Sequence, residues 1–437
     1  MAEGSGVSAG RRRAPLLFGQ TGWSFPFVFS LYAYQGLVAG FALTALPNHH
    51  AGLGASASEV AWHAVLVGLP WVLQPAWGPL VDRFGDFRMG RRRFWAVAAL
   101  AGSLAALLFL FAVADAPREL GRTSPVLAAH SAFACLLDTA VDGMIIDRVP
   151  PAKLGRANAS TRAGFVSGIA VGAAVFASVL PAHGLHAAAA LLAGAGALVA
   201  VPLLLVREDA ADARFSLVRR PAREAGARPE RRVLLRRFLA PMLRRQALVL
   251  TAFCIAVEGA VAAVQLRTGL ELIQKRAWDA EALSRLQAAL GLLSGTLGAF
   301  AVGWWSDRLG ALRGLFAVLL FSAAAYAAVA ALLAGGWAHA APLAAGMASA
   351  LPVLAFVALA PAVMRASRGP GAATRFALFM AALNLGGVGG SALAGAVGTG
   401  LPLWAPVLAA GCVFACCAAL ARRPHLLFRR RVEAAPA

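Results

Sequence analysis

"GPLVDRFGDFRMGRRRFW", residues 78–95, lies between two long apolar runs and gathers seven charges into a turn-rich connection. A shorter form, "DRLGALR" at 307–313, echoes its "DRFGDFR" at 82–88, and each copy falls between the second and third apolar runs of its half of the chain. A weaker echo joins "TRAGFVSG" at 161–168 to "TRFALFMA" at 374–381, each opening a fifth run. Two copies of one loop in register imply a chain built from two parallel repeats.

The rest of the sequence says what is repeated. Of 437 residues, 60% are apolar and 14% charged, with a mean hydropathy of +0.71. Soluble domains average about 45–50% apolar and about 25% charged, so this is the composition of a polytopic membrane protein. Twelve apolar runs follow one another, at about 23–46, 60–78, 94–114, 124–146, 158–181, 185–206, 245–266, 284–304, 314–334, 341–363, 374–398 and 402–421. Most approach the ~20 residues a helix needs to cross a bilayer. The expected fold is an all-α membrane protein, with 12 transmembrane helices in two pseudo-symmetric six-helix bundles. Residues 1–206 form the first bundle, 207–244 a basic linker, and 245–437 the second bundle with a basic tail.

A net charge of +20 would suit a nucleic-acid binder, but its distribution argues otherwise. Alternating the connections between two sides puts 34 of the 40 Lys and Arg on the side of the 78–95 loop. That bias marks the cytoplasmic side. The expected location is a bacterial-type inner membrane with both termini cytoplasmic, the partners a lipid bilayer and a small-molecule substrate, the unit a monomer. No nucleic acid is expected. The linker carries 11 Arg against 5 acidic residues, and its stretch 217–245 reads either as lying partly as a basic amphipathic helix on the anionic leaflet or as a solvated connection.

In the loop, Asp82 stands at the C-terminal end of the second span, where the helix dipole disfavours an anion unless it is paired. Arg83, Arg91, Arg92 and Arg93 are the candidate partners, and Gly78, Gly85 and Gly90 mark the turn. Asp307, Arg308 and Gly310 repeat the pattern. Such a cluster reads as a charged latch between helix ends or as a simple basic anchor. Glycines at 164, 168, 172 and at 386, 390 let helices approach closely, as fixed seams or as sliding surfaces.

Polar groups at membrane depth are the functional candidates. "ACLLDTAVDGMIID", residues 134–147, carries Asp138 and Asp142 on one helix face and Asp147 at the surface beside Arg148. Asp138 lies roughly 21 Å into the fourth span. Neither Asp138 nor Asp142 has a counterpart in the second half, where Val363 and Ser367 stand at the repeat offset. Intramembrane carboxylates default to substrate paths or proton relays, and two of them one turn apart favour a shared, exchangeable proton. For Asp142, pairing with a loop arginine such as Arg91 is the competing reading. Glu258 sits near the midplane of the seventh span with nothing in the nearby sequence to neutralise it. Gln35 and Asn384 lie at similar depth, as ligand contacts or interhelical hydrogen bonds. His63 and His130 occupy outer halves of their spans, where an imidazole can carry a proton near neutral pH or simply bond a neighbour.

No Walker loop, HExxH, zinc-spaced Cys/His set or GxSxG elbow occurs. The five cysteines read as packed thiols. No cofactor or metal is expected, and the chain is not expected to be an enzyme. An intramembrane enzyme would gather its groups at one interface, whereas Glu258, Gln35 and Asn384 gather near the midplane.

The glycine, Asp-Arg, glycine and basic cluster of the loop, present in both halves, resembles the signature of the major facilitator superfamily. Three stretches resemble its peptide/acetyl-coenzyme A/drug transporter branch: "YQGLVAGFALTALP" (34–47), "LPWVLQPAWGPLVDRFGDFRMGRRRFW" (69–95) and "LLDTAVDGMIIDRVPPAKLGRAN" (136–158). That branch includes muropeptide permeases and siderophore importers of the pyochelin and rhizobactin type. The resemblance is dense over the first ~160 residues and thin afterwards. It departs from the branch where Gln74-Pro75 replaces Lys plus an aromatic, and where Leu137 replaces the Gln-Asp step before Asp138. It implies import of a siderophore-like or muropeptide-like solute by alternating access, with drug or metabolite export as the alternative; the acids at depth make the expected driving force a proton gradient, or otherwise another gradient. Gln74 joins the candidate pathway on that basis.

Overall fold

The computed structural model describes residues 24–84, 87–113, 120–149, 154–220, 240, 242–298, 301–302, 304–305, 308, 310–367 and 372–427. Among these the fold is almost wholly helical, with one isolated antiparallel bridge, Phe87 to Arg219. Ten helices are long and apolar enough to cross a membrane, and the chain is a multi-pass membrane protein.

In chain order, α1 spans Ser24–Gly52, α2 Ala57–Arg83, α3 Arg93–Ala112 and α4 Leu120–Arg148. Leu154–Leu205 is one run broken at Gly184, whose φ of 76° interrupts the helix; its limbs are α5 and α6. Then come α7, Arg245–Lys275, and α8, Ala280–Leu293, continued by a π-turn over Ser294–Gly298. The remainder are α9 (Ala311–Ala334), α10 (Ala340–Ser367), α11 (Ala372–Val397) and α12 (Trp404–Ala421). The ten spans count α5 and α6 together and omit the shorter α8, so they are consistent with the twelve expected. Helices overrun the expected ends: α1 continues through Asn48, His49 and His50 and α7 runs to Lys275. Gly85 and Asp307 lie outside the described residues.

Prolines shape the helices and recruit polar partners. Pro47 has no N–H to return to the turn before it, and that turn, Phe41–Ala45, is a π-helix. The carbonyl of Ala42 bonds His63 Nε2 instead, at 2.7 Å. Likewise Pro75 cannot serve the carbonyl of Trp71 four residues earlier, and Asn384 Nδ2 of α11 donates to it at 3.2 Å.

Within each half the tightest seam is glycine-lined. α1 lies along α5, and α7 along α11. A Cβ on Gly168 would stand 2.1 Å from the Ala33 carbonyl oxygen, and one on Gly390 2.1 Å from that of Gly259. The stripes are therefore fixed backbone contacts inside a half, not a surface between halves. Gly168→Val should force α1 off α5 and cost about 3 kcal/mol or more; a melting temperature equal to the parent's in detergent would refute this. Across the middle, α2 packs on α11 and α5 on α8, two pairings that exchange when the halves are swapped.

Hydrogen bonds between these sets gather at the end away from the 78–95 loop. Asn48 donates to Ser284 Oγ (2.8 Å) and Gln287 Oε1 (2.9 Å), and Gln274 donates to the carbonyls of Ala51 (3.3 Å) and Ala55 (2.6 Å). Ser178 bonds Glu281 (2.9 Å) and Arg285 (2.8 Å).

Candidate functional site

Four helices of the first half converge on the two aspartates. Gln74, in the 3₁₀ turn that Pro75 imposes on α2, donates to Asp138 Oδ2 at 2.6 Å. Tyr32 of α1 donates to Asp142 Oδ1 at 2.5 Å. Arg162 of α5 lies within electrostatic reach of both carboxylates, with its guanidinium 4.2 Å above the ring of Phe356 on α10. Asp142 does not pair with Arg91; its hydrogen-bond partner is a phenol.

Accessibility identifies what these groups face. Asp142 and Arg162 are exposed and Asp138 is half-buried, yet protein atoms surround all three. A group exposed to lipid would lack that enclosure, so the three border an internal space. Sequence reading passed over Tyr32 and Arg162. Tyr32 sits one turn before Gln35 on α1, and Arg162 is the charge that opens "TRAGFVSG", quoted only as a repeat echo.

Glu258 of α7 is half-buried and enclosed by protein. Among the described residues it has no hydrogen-bond or ion-pair partner. Tyr326 of α9, whose hydroxyl is buried without a partner, lies within its electrostatic reach. Gln35 is buried with both amide atoms unpaired.

The histidines hold helices together. His63 is fully buried, and beside Ala42 its Nδ1 meets Ser124 Oγ at 2.8 Å. Its Nε2 lies on the Ala42 carbonyl, and the Ser124 hydroxyl, which has one proton to give, stands between His63 Nδ1 and the Leu120 carbonyl, 2.6 Å from the latter. His130 meets Ser103 Oγ at 2.9 Å. Asn384, through Trp71, is also engaged between helices.

The loop divides its arginines among different tasks. Arg92 bridges Asp82 (2.9 Å) and Asp147 (3.1 Å), tying the end of α2 to the end of α4. Arg91 adds a contact to Asp82 at 3.3 Å. Arg83 leans on the ring of Phe84, and Arg308 on that of Trp304. Arg93 corrects the expectation of a gate cation: it is fully buried and bonds the carbonyls of Leu203, Leu204, Met89 and Ala213. Its guanidinium is drawn inward because α6 ends there with carbonyls that no helical N–H can meet. Gly310, at φ 88°, precedes α9.

Residues 207–220 form a strap over this loop; residues 221–239, which make up most of the stretch expected to lie on the leaflet or in solvent, are outside the described residues. Arg88 N donates to Val218 O (3.0 Å) and Ala213 N to Arg88 O (2.9 Å). Glu208 accepts the amides of Arg92 (2.8 Å) and Arg93 (3.0 Å). Gly90, at φ 118°, admits this approach, since a Cβ there would stand 2.8 Å from the Glu208 carboxylate. Asp212 pairs with Arg220 at 2.5 Å. Burial pushes its carboxyl above the ordinary range, while the Ala211 amide holds Asp209 below it.

Comparison with known proteins places this arrangement. Residues 28–374 match the Major Facilitator Superfamily. Among solved structures, a POT family transporter in complex with a thioalcohol-conjugated peptide superposes with a TM-score of 0.69 at 12% identity, covering 95% of this chain and 99% of that one. The nucleoside transporter NupG gives 0.62 at 14%, covering 91% and 98%. A bacterial homologue of the human lysosomal transporter Spinster, inward-facing and unoccupied, gives 0.62 at 16%, covering 91% and 95%. A search of curated proteins found no sequence match. Identities this low speak for the fold alone, but the family match takes in most of the helical chain: the protein belongs to the Major Facilitator Superfamily and is a secondary transporter, not an enzyme.

Proposed function

We propose that the protein moves a small organic solute across the bacterial inner membrane by alternating access, drawing on a proton gradient. Asp138 and Asp142 form the proton-exchanging pair, and Glu258 is a separate acid in the second half. The observation that carries this reading is the acid pair itself. Two carboxylates one turn apart border an enclosed, accessible space and are held by neutral donors, so each can lose or regain a proton without breaking an ion pair.

The loop side is cytoplasmic by its basic bias, and residues 1–206 and 245–437 make up the two halves. Cross-links from Asn48, Gln274 and Ser178 close the opposite end, which suits an inward-facing state. The sequence resemblance favours import of a siderophore-like or muropeptide-like substrate, and one structural neighbour holds a thioalcohol-conjugated peptide. The test is a thermal-stabilisation screen of detergent-purified protein against ferric and apo siderophores, muropeptides and common drugs, followed by proteoliposome uptake of whichever solute stabilises. Uptake indifferent to an imposed pH gradient would overturn proton coupling.

Asp82→Asn removes one end of the Arg92 bridge. Both Asp82 and Arg91 are half exposed, so stability should change by no more than about 1 kcal/mol. Turnover should fall while ligand binding stays at the parent value. Unchanged turnover would reduce the loop to an anchor.

A further inference from the structure

We propose that Arg162 receives a carboxylate, or another planar oxyanion, carried by the transported solute. The proposal rests on the transport reading and names the substrate class of the same site.

Arg162 is the unspent cation of the cavity. Among the described residues its guanidinium makes no hydrogen bond and no ion pair; its one close contact is the face of Phe356, 4.2 Å away. The aspartates nearby are the obvious alternative partners, and their short contacts are to Gln74 and Tyr32 instead. Arg162 stands near the cytoplasmic end of its span and is exposed, so its N–H donors are open to exchange water for a partner that arrives from outside and leaves again.

Geometry selects that partner. The guanidinium is a planar fork matched to two oxygens in one plane. Stacking on Phe356 occupies a face of the fork and leaves its N–H edge free. The exposure of Arg162 puts that edge in reach of a solute inside the passage. Arg162 belongs to α5 and Phe356 to α10, one from each half of the chain. An anion seated on Arg162 therefore touches the contact between halves, and it can bias their arrangement through its differential affinity for the two states. The negative Asp138 and Asp142 nearby would oppose an anion when ionised. The solute's carboxylate and the pair's charge are then antagonistic, which favours anion binding when the pair holds a proton.

The test uses full-length protein in detergent at constant ionic strength, with no gradient. Acetate, benzoate and N-acetylalaninate are each compared with the corresponding amide. At least one acid should raise the melting temperature by about 3 °C or more, and should slow phenylglyoxal modification of Arg162, mapped by peptide mass, about threefold relative to Arg83. No amide should do either. Arg162→Gln should abolish the thermal response, and Arg162→Lys should weaken binding about tenfold. Acids and amides acting alike, no acid protecting Arg162, or a full acid response in Arg162→Gln would each overturn the proposal. If Arg162→Gln does not fold, the modification of the parent protein decides alone. Because binding is read without a gradient, the carboxylate assignment can fail while gradient-driven uptake survives, and the reverse.

Discussion

Asp138→Asn should reduce pH-gradient-driven uptake in proteoliposomes to background, roughly a hundredfold or more, while the protein still inserts and folds. The argument is one of near-isosteric replacement. An asparagine keeps an oxygen able to accept the 2.6 Å bond from Gln74, so the kink at Gln74-Pro75 and the seat of α4 are preserved. It cannot take up or release a proton. Exchange of labelled for unlabelled solute without a gradient should therefore continue within about threefold of the parent, because that mode needs a binding site but no net proton movement. Glu258→Gln tests the other half in the same way, and its carboxylate has no described partner to lose. Parental uptake rates in both variants would remove these residues from the coupling path. Loss of exchange as well as of driven uptake in Asp138→Asn would make Asp138 a solute contact instead.

The parts of this picture that the sequence makes legible are those governed by long-range averages. Span count, basic bias and the repeat of Asp82-Arg83 at Asp307-Arg308 each sum over many residues, and the all-helical membrane fold follows from them. Asp138, Asp142 and Glu258 stand out because hydrocarbon makes any acid conspicuous. What stays hidden is pairing across helices. Nothing in the strings "LYAYQG" and "TRAGFVSG" tells that Tyr32 bonds Asp142 or that Arg162 lies within electrostatic reach of both acids, since this depends on how α1, α4 and α5 are arranged in three dimensions. The histidines stay open in the sequence for a related reason. An imidazole at depth can carry a proton or bond a neighbour, and only the structure reveals that Pro47 displaces the bonding around Ala42, where His63 fits. The same blindness hid the role of the linker, whose acids look like scatter in a basic segment until Glu208 is seen on the amides of Arg92 and Arg93.

Arg93→Met should lower stability by about 3–5 kcal/mol, the range for removing one partner from a buried charged network. Arg93 ends no gate; it joins two helix termini. Its Nη2 reaches Leu204 O at 2.6 Å and its Nε reaches Leu203 O at 3.2 Å, and these carbonyls belong to the last turn of α6, where the dipole is negative. In the reverse sense, the carboxylate of Glu208, directly after α6, sits on the first amides of α3, where the dipole is positive. Each helix end is thus met by an opposite charge, from α3 on one side and from the segment just after α6 on the other. Methionine keeps the volume but leaves four carbonyls without their donor and Glu208 with Arg148, 3.7 Å away, as its remaining close cation. Lysine should restore only part of the loss, because an ammonium has three donors and no fork. The expected signature in full-length protein is a melting temperature lower by on the order of 10 °C, together with faster tryptic cleavage after Arg214 and Arg219 as the strap lifts. Arg92→Gln provides the contrast. Arg92 touches Asp82 and Asp147, both substantially exposed, so its loss should cost at most about 1 kcal/mol and leave the strap as resistant to trypsin as in the parent. If Arg93→Met melts and digests like the parent, the strap is an incidental contact and the loop is held by its exposed salt bridges after all.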